Sequence, residues 1–202
     1  MFKKLIYTII LFAIMGLFSC EKYTIIQGKE YFPNTVGSLW IYKVTDSLQN
    51  KTYELEVRIV KDTLIKDLHY TKWTYSCHDY VKSKYVLVEN DSIFFKMLAT
   101  DSTLFTTDIL IMPFEKGSVW EFPVYGSFDS NYEVEDITDM KILNCDFTQV
   151  SIIRKNAGSP NNYITNRFYI KPNTGIVRFD AREIMWSTIQ NEVWELKRCN
   201  LN

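Results

Sequence analysis

Pro33-Asn34-Thr35-Val36-Gly37-Ser38-Leu39-Trp40-Ile41-Tyr42 recurs as Pro113-Phe114-Glu115-Lys116-Gly117-Ser118-Val119-Trp120-Glu121-Phe122, an offset of 80 residues that keeps Pro, Gly, Ser, Trp and the closing aromatic. Each retained residue has a physical role. Proline has no N–H to give to a sheet ladder and so ends pairing. Glycine reaches backbone angles that other residues resist. Tryptophan fills a core as the strand begins. After the first copy, Leu39 to Val44 is a run of β-branched and aromatic residues that reads as a buried strand. Two such strand starts predict one all-β domain, residues 31–202, built by internal duplication, with repeat halves of about 31–112 and 113–202.

The chain on either side follows the same grammar. Asp46 to Lys51 supplies turn residues, and Thr52 to Val60 then alternates, with Tyr53, Leu55, Val57 and Ile59 on one face and Glu54, Glu56 and Arg58 on the other. That period of two is the mark of a half-buried strand, so the first two strands are expected to form a hairpin. Further strands are expected at Leu64–Ile65, His69 to Cys77, Tyr85 to Glu89, Ile93 to Leu98 and Leu104 to Met112. Beyond the second copy they fall at Val119 to Tyr125, Tyr132 to Val134, Phe147 to Ile153, Tyr163 to Ile170, Ile176 to Met185 and Glu192 to Cys199. Asn90-Asp91-Ser92, Asn156 to Asn162 and Pro172-Asn173-Thr174-Gly175 read as turns. No stretch of the body sustains a helical apolar period. The expectation is an antiparallel meander of roughly a dozen strands, forming a curved sheet, a half-barrel or a sandwich.

Met1 to Cys20 is of a different kind. Lys3 and Lys4 precede an apolar run from Leu5 to Phe18, then comes the small residue Ser19, the three parts of a secretory signal. The run falls short of the ~20 residues that span a bilayer, so it is expected as a cleaved signal helix and not as a membrane anchor. Leu17-Phe18-Ser19-Cys20 resembles the bacterial lipobox, which implies diacylglycerol on the Cys20 sulfur and cleavage after residue 19. Residues 20–30 are then a lipidated tether. Each buried CH₂ of such an anchor contributes about 0.8 kcal/mol, and several chains on one residue hold stably where one does not. With no acidic run after Cys20 and no Asp in second place, the resemblance to lipoprotein sorting signals implies the outer membrane, facing the periplasm, with the cell surface as the alternative.

Composition limits partners. Aromatic residues make up 15% and charged residues 23%, an ordered and core-rich profile. Losing Lys3 and Lys4 with the leader takes the formal charge to −1 − 2 = −3. No basic excess is left to suggest nucleic acid. Of the four cysteines, lipidation of Cys20 leaves Cys77, Cys145 and Cys199, an odd set that allows one internal bridge at most. Cys145–Cys199 is the favoured pair, although a core of this size does not require a disulfide.

At Phe32-Pro33, Gly37 and Trp40-Ile41-Tyr42 the chain resembles short Bacteroidetes lipoproteins of unassigned activity, which open just after the tether with aromatic-Pro-x3-Gly-x2-Trp-x-Tyr. They close as here with an aromatic strand, Phe168-Tyr169-Ile170, a turn, and Gly175-Ile176-Val177-Arg178. The resemblance implies an antiparallel curved sheet similar to the open half-barrels of periplasmic lipoprotein carriers, and it carries no catalytic residue across.

Any chemistry must therefore come from this chain's own residues. His69 and His78 are the two histidines, and Cys77-His78-Asp79 is the one crowding of nucleophile and ligand types. Adjacent strand residues point to opposite faces, so the pair diverges unless a turn brings it round. Glu133, Glu135, Asp136 and Asp139 cluster without the spacing of a calcium loop and read as a solvated face. No nucleophile elbow or phosphate loop is present. No catalytic residue, metal ligand or cofactor is assigned. Two classes remain. One is a non-catalytic envelope lipoprotein, held at the membrane by its lipid, that binds an apolar ligand, a glycan or a protein partner on a sheet surface lined from Trp40, Trp73, Trp120, Trp186 and Trp194. The other is an envelope hydrolase assembled from dispersed residues near Cys77 and His78.

Overall fold

The computed structural model describes residues 32–78, 80–99, 103–124, 128–159, 162–185 and 188–201. The expected signal helix, the tether with Cys20, and Trp186 lie outside them.

The first half supplies β1 (Leu39–Asp46), β2 (Lys51–Ile65), β3 (Leu68–Cys77), β4 (Tyr80–Glu89), β5 (Ser92–Leu98) and β6 (Leu104–Ile111). The second supplies β7 (Val119–Val124), β8 (Phe128–Ile142), β9 (Cys145–Ser159), β10 (Asn162–Lys171), β11 (Gly175–Met185) and β12 (Thr188–Asn200). The twelve form a single antiparallel sheet in the order β6-β5-β4-β3-β2-β1-β12-β11-β10-β9-β8-β7. Every strand pairs with the next in sequence except β6 with β7, and β1 pairs with β12 from Leu39↔Asn200 to Asp46↔Glu192. The first and last strands are thus the middle of the sheet. Its edges, β6 and β7, flank the connection that carries the second motif copy.

The sheet curls until these edges meet in a nearly closed barrel. Among the described residues no backbone ladder joins them, and side chains do the closing. Trp120 Nε1 donates to the Ile109 carbonyl at 3.2 Å, the Ile109 N–H donates to the Tyr132 hydroxyl at 3.4 Å, and Lys155 Nζ donates to the Thr107 carbonyl at 2.9 Å. Edge groups that would otherwise be left unpaired are satisfied in this way.

Both motif copies build the same local structure. Gly37 and Gly117 sit at φ +94° and +85°, where a side chain is strained. The Gly37 N–H donates to Ile59 O at 2.9 Å and the Ile59 N–H to Ser38 O at 3.0 Å; Gly117 and Ser118 repeat this with Val134, both bonds at 2.9 Å. Each copy therefore heads a two-stranded ladder, β1–β2 or β7–β8.

Some strand limits differ from expectation. β8 extends from Phe128 to Ile142, where alternation marked only Tyr132 to Val134. Register shifts between Val134 and Asp136 and between Thr138 and Met140 move its side chains from one face to the other, which erases a period-two signal. β9 continues through residues 156–159, expected as a turn. There Asn156 and Gly158 lie opposite Thr165 and Tyr163 of β10, so pairing overrides poor strand propensity. β4 begins at Tyr80 and not Tyr85, because its inward positions there are the polar Lys82 and Lys84, which hide it.

Candidate functional site

Alternate residues of each strand face the barrel interior, and what they do there differs along its length. At the end where the described chain enters, the interior is filled. Phe32 stacks on Trp73 (centroids 5.3 Å, 20°), Trp73 stacks on Trp40 (4.9 Å, 16°), and Phe95 meets Phe32 edge-on at 5.7 Å. The rings are pinned by their polar tips. Trp40 Nε1 donates to Thr174 O at 2.7 Å in the β10–β11 turn, and Trp73 Nε1 donates to Asn34 Oδ1 at 3.0 Å. A segment preceding β1 thus serves as the stopper of the barrel.

Toward the other end, which carries the β1–β2, β3–β4 and β11–β12 connections, the strands enclose a cavity of about 490 Å³. Its lining follows period two: Tyr53, Leu55 and Val57 of β2; Trp73, Tyr75 and Cys77 of β3; Tyr80, Lys82 and Lys84 of β4; Ile164, Asn166 and Phe168 of β10; Gln190, Glu192 and Trp194 of β12. Trp194 packs edge-on against Phe179 at 5.0 Å and lies near Tyr42 and Tyr75. Tyr80 is 59% exposed, which places the lining in contact with solvent at this end. Eight-stranded barrels are about wide enough for side chains to fill; twelve strands leave room unless something is inserted.

Ionisable groups stand on opposing walls. Asp108 of β6 lies 2.7 Å from Lys155 of β9 and 3.5 Å from Lys84 of β4. Burial alone would push the Asp108 carboxyl up, but the two ammoniums hold it well below the usual carboxylate range. Lys155, its side chain 5% exposed, also donates to Thr107 O; burial opposes its charge, yet Asp108 outweighs this and raises its pKa. Lys84 goes the other way. Burial lowers its pKa, Asp108 opposes that only in part, and Lys82 and Lys155 add repulsion. On the opposite wall, Glu192 accepts from Tyr53 Oη (3.0 Å), Gln190 Nε2 (2.8 Å) and Trp194 Nε1 (2.9 Å), and Glu183 accepts from Asn166 Nδ2 at 3.0 Å.

The tryptophans expected to share a surface are distributed. Trp73 and Trp194 line the cavity, Trp40 is buried in the stopper, and Trp120 stacks on Tyr132 (5.3 Å, 4°) at the β6–β7 seam. His69 and His78 are both exposed, at opposite ends of β3. Cys77 lines the cavity, while His78, at φ +47°, belongs to the turn beyond it. The acidic cluster is resolved into contacts: Arg154 pairs with Glu133 and with Glu135, Arg167 pairs with Glu135, Lys116 pairs with Asp136, and Asp139 accepts from the Gln149 N–H. Among the described residues no three His, Cys, Asp or Glu converge as metal ligands. The three described cysteines are free, so the favoured Cys145–Cys199 bridge is not formed; both are exposed, and the Cys145 side chain helps raise the Cys199 thiol pKa after burial. Sequence reasoning missed the Asp108, Lys84 and Lys155 cluster. Its one signal was Asp108 within the apolar run from Leu104 to Met112.

A nearly closed antiparallel barrel with a stoppered end and a polar-aromatic lumen is the class that these features define. Among solved structures, the fold is similar to that of a Bacteroides fragilis protein described as exported and having a YMCC-like fold, with 12% identity, TM-score 0.50, and 84% of this chain covering 98% of that one. A Parabacteroides distasonis protein described as a lipoprotein matches at 13% identity and TM-score 0.46 over the same shares. No protein-family profile and no curated protein sequence matches the chain.

Proposed function

We propose that this chain is a non-catalytic cell-envelope lipoprotein, anchored through Cys20 at the outer membrane, that holds an apolar or amphipathic small molecule inside its barrel. The observation that carries the reading is the aromatic-lined cavity of about 490 Å³, within the roughly 300–1,000 Å³ of small-molecule sites. Its open end lies opposite the end at which Phe32 enters. Leu48, Tyr80, Leu98 and Ile189, all exposed, give that mouth an apolar rim. The description of a structural neighbour as exported fits an envelope location.

Titration with N-phenyl-1-naphthylamine tests the ligand reading. Saturable quenching of tryptophan emission is expected, weakened about tenfold by Trp194→Ala, which is the loss of one aromatic contact. Absence of saturable binding would end the ligand reading. The anchor is tested separately: Cys20→Ala should abolish fatty-acid labelling and release the protein from membranes, and persistent labelling would point to another acceptor.

A further inference from the structure

The cations in the lumen outnumber the anion that serves them. Asp108 is one carboxylate between two ammoniums, and the division is unequal. Lys155 takes Oδ1 at 2.7 Å and the Thr107 carbonyl at 2.9 Å. Among the described residues Lys84 has only Oδ2 at 3.5 Å, with the rings of Phe95 and Tyr75 at 5.7 and 5.9 Å from its nitrogen. Its side chain, 23% exposed, borders the cavity, as does Lys82 two residues before it on the same face. An ammonium with three N–H donors and one long contact is under-coordinated, and moving charge out of water without a close partner is costly. The acids across the lumen do not relieve it. Glu192 is engaged by three donors on β2 and β12, and Glu183 by Asn166 on β10.

We infer that the occupant of the cavity is an anionic amphiphile, whose carboxylate or phosphate is bound by Lys84, with Lys82 beside it, while its apolar part lies against Trp73, Phe168, Phe179 and Trp194. This rests on the proposal that the cavity is a ligand site and specifies the ligand's charge and orientation. Placed there, the anionic group completes Lys84 by a charge-assisted hydrogen bond. The carboxylates of Glu183 and Glu192 repel the same group from the other wall, so one of two orientations is selected. The Asp108–Lys155 pair is left intact at the seam, where it holds β6 to β9.

Calorimetric titration of the full-length protein with hexadecanoate, hexadecyl phosphate, hexadecanol, acetate and inorganic phosphate separates the terms. Hexadecanoate or hexadecyl phosphate is expected to bind at least tenfold more tightly than hexadecanol, and acetate and inorganic phosphate much more weakly than either. Lys84→Met should remove the preference for the anion while leaving hexadecanol binding within about twofold; Lys84→Gln, closer in length and polarity, gives the same reading should the first variant not fold. Equal binding of anion and alcohol to the unmodified protein, or a preference that survives both substitutions, overturns the anionic assignment and leaves the ligand site standing. Acetate or inorganic phosphate binding as tightly as the long-chain anion overturns the amphiphile and leaves an anion site. Failure of every long-chain probe to bind overturns both proposals.

Discussion

The two ends of the barrel are made from the same kind of strand and treat their interiors differently. At one, Phe32, Trp73 and Trp40 stack face to face and exclude solvent. At the other, Tyr75, Lys84 and Trp194 border empty volume. The difference comes from an insertion. A twelve-stranded wall is too wide for its own side chains to span, so one end is occupied by chain that belongs to no strand, and the other is left to charge networks around an open cavity. Filling supplies stability at the first end, and incompleteness leaves the volume at the second.

That contrast makes the filled end the costliest to cut. Trp40→Ala removes a ring that is 1% exposed together with its bond to Thr174, and should cost about 5 kcal/mol by urea unfolding, the upper part of the range for large core truncations. A loss as small as that of a surface residue would mean that the stack is not a core. Next comes the seam. Asp108→Asn leaves the buried Lys155 ammonium and the partly buried Lys84 ammonium without a carboxylate and should cost about 3 kcal/mol at neutral pH.

The pH dependence has a definite sign. Since folding depresses the Asp108 pKa, its contribution is complete above the unfolded value of about 4 and declines as the pH falls below it. The stability gap between the unmodified protein and Asp108→Asn should therefore narrow between about pH 5 and pH 3. A gap that widens with acid would refute the assignment. Smaller again, Trp194→Ala at the hollow end should cost about 1–2 kcal/mol, because a half-buried ring beside a cavity loses less apolar burial than Trp40 does. The glycine of the second motif copy gives the smallest effect. Gly117→Ala should cost about 1 kcal/mol, through backbone strain alone, since a Cβ there meets nothing within 4 Å.

Much of this arrangement was legible in the residues. The duplicated Pro–Gly–Ser–Trp pattern located β1 and β7, and the alternation of Thr52 to Val60 located β2 and its hairpin. Their signals survive because register and burial are regular there. β8 was hidden by its two register shifts, which carry Glu133, Glu135 and Asp136 into ion pairs where an unbroken strand would show alternation. The lumen was hidden for another reason. Lys82, Lys84, Lys155 and Glu192 occupy inward positions, yet in a sequence an inward charge reads like any solvated one, and only closure of the sheet reveals which wall it faces. Equally, the common role of the tryptophans could not be divided in advance, since Trp40 and Trp73 differ by which of them also borders empty space.

The pairing of β1 with β12 reaches beyond the finished barrel. The opening strand cannot complete its ladder until the final 13-residue strand, more than a hundred residues later, has arrived. Closure across that span belongs to the slow, non-local class of folding steps. A polypeptide emerging from a ribosome, or passing thread-like through a translocon, would keep its central seam unmade until β12 is free, and the emergence of that strand becomes the event that commits the barrel to shape.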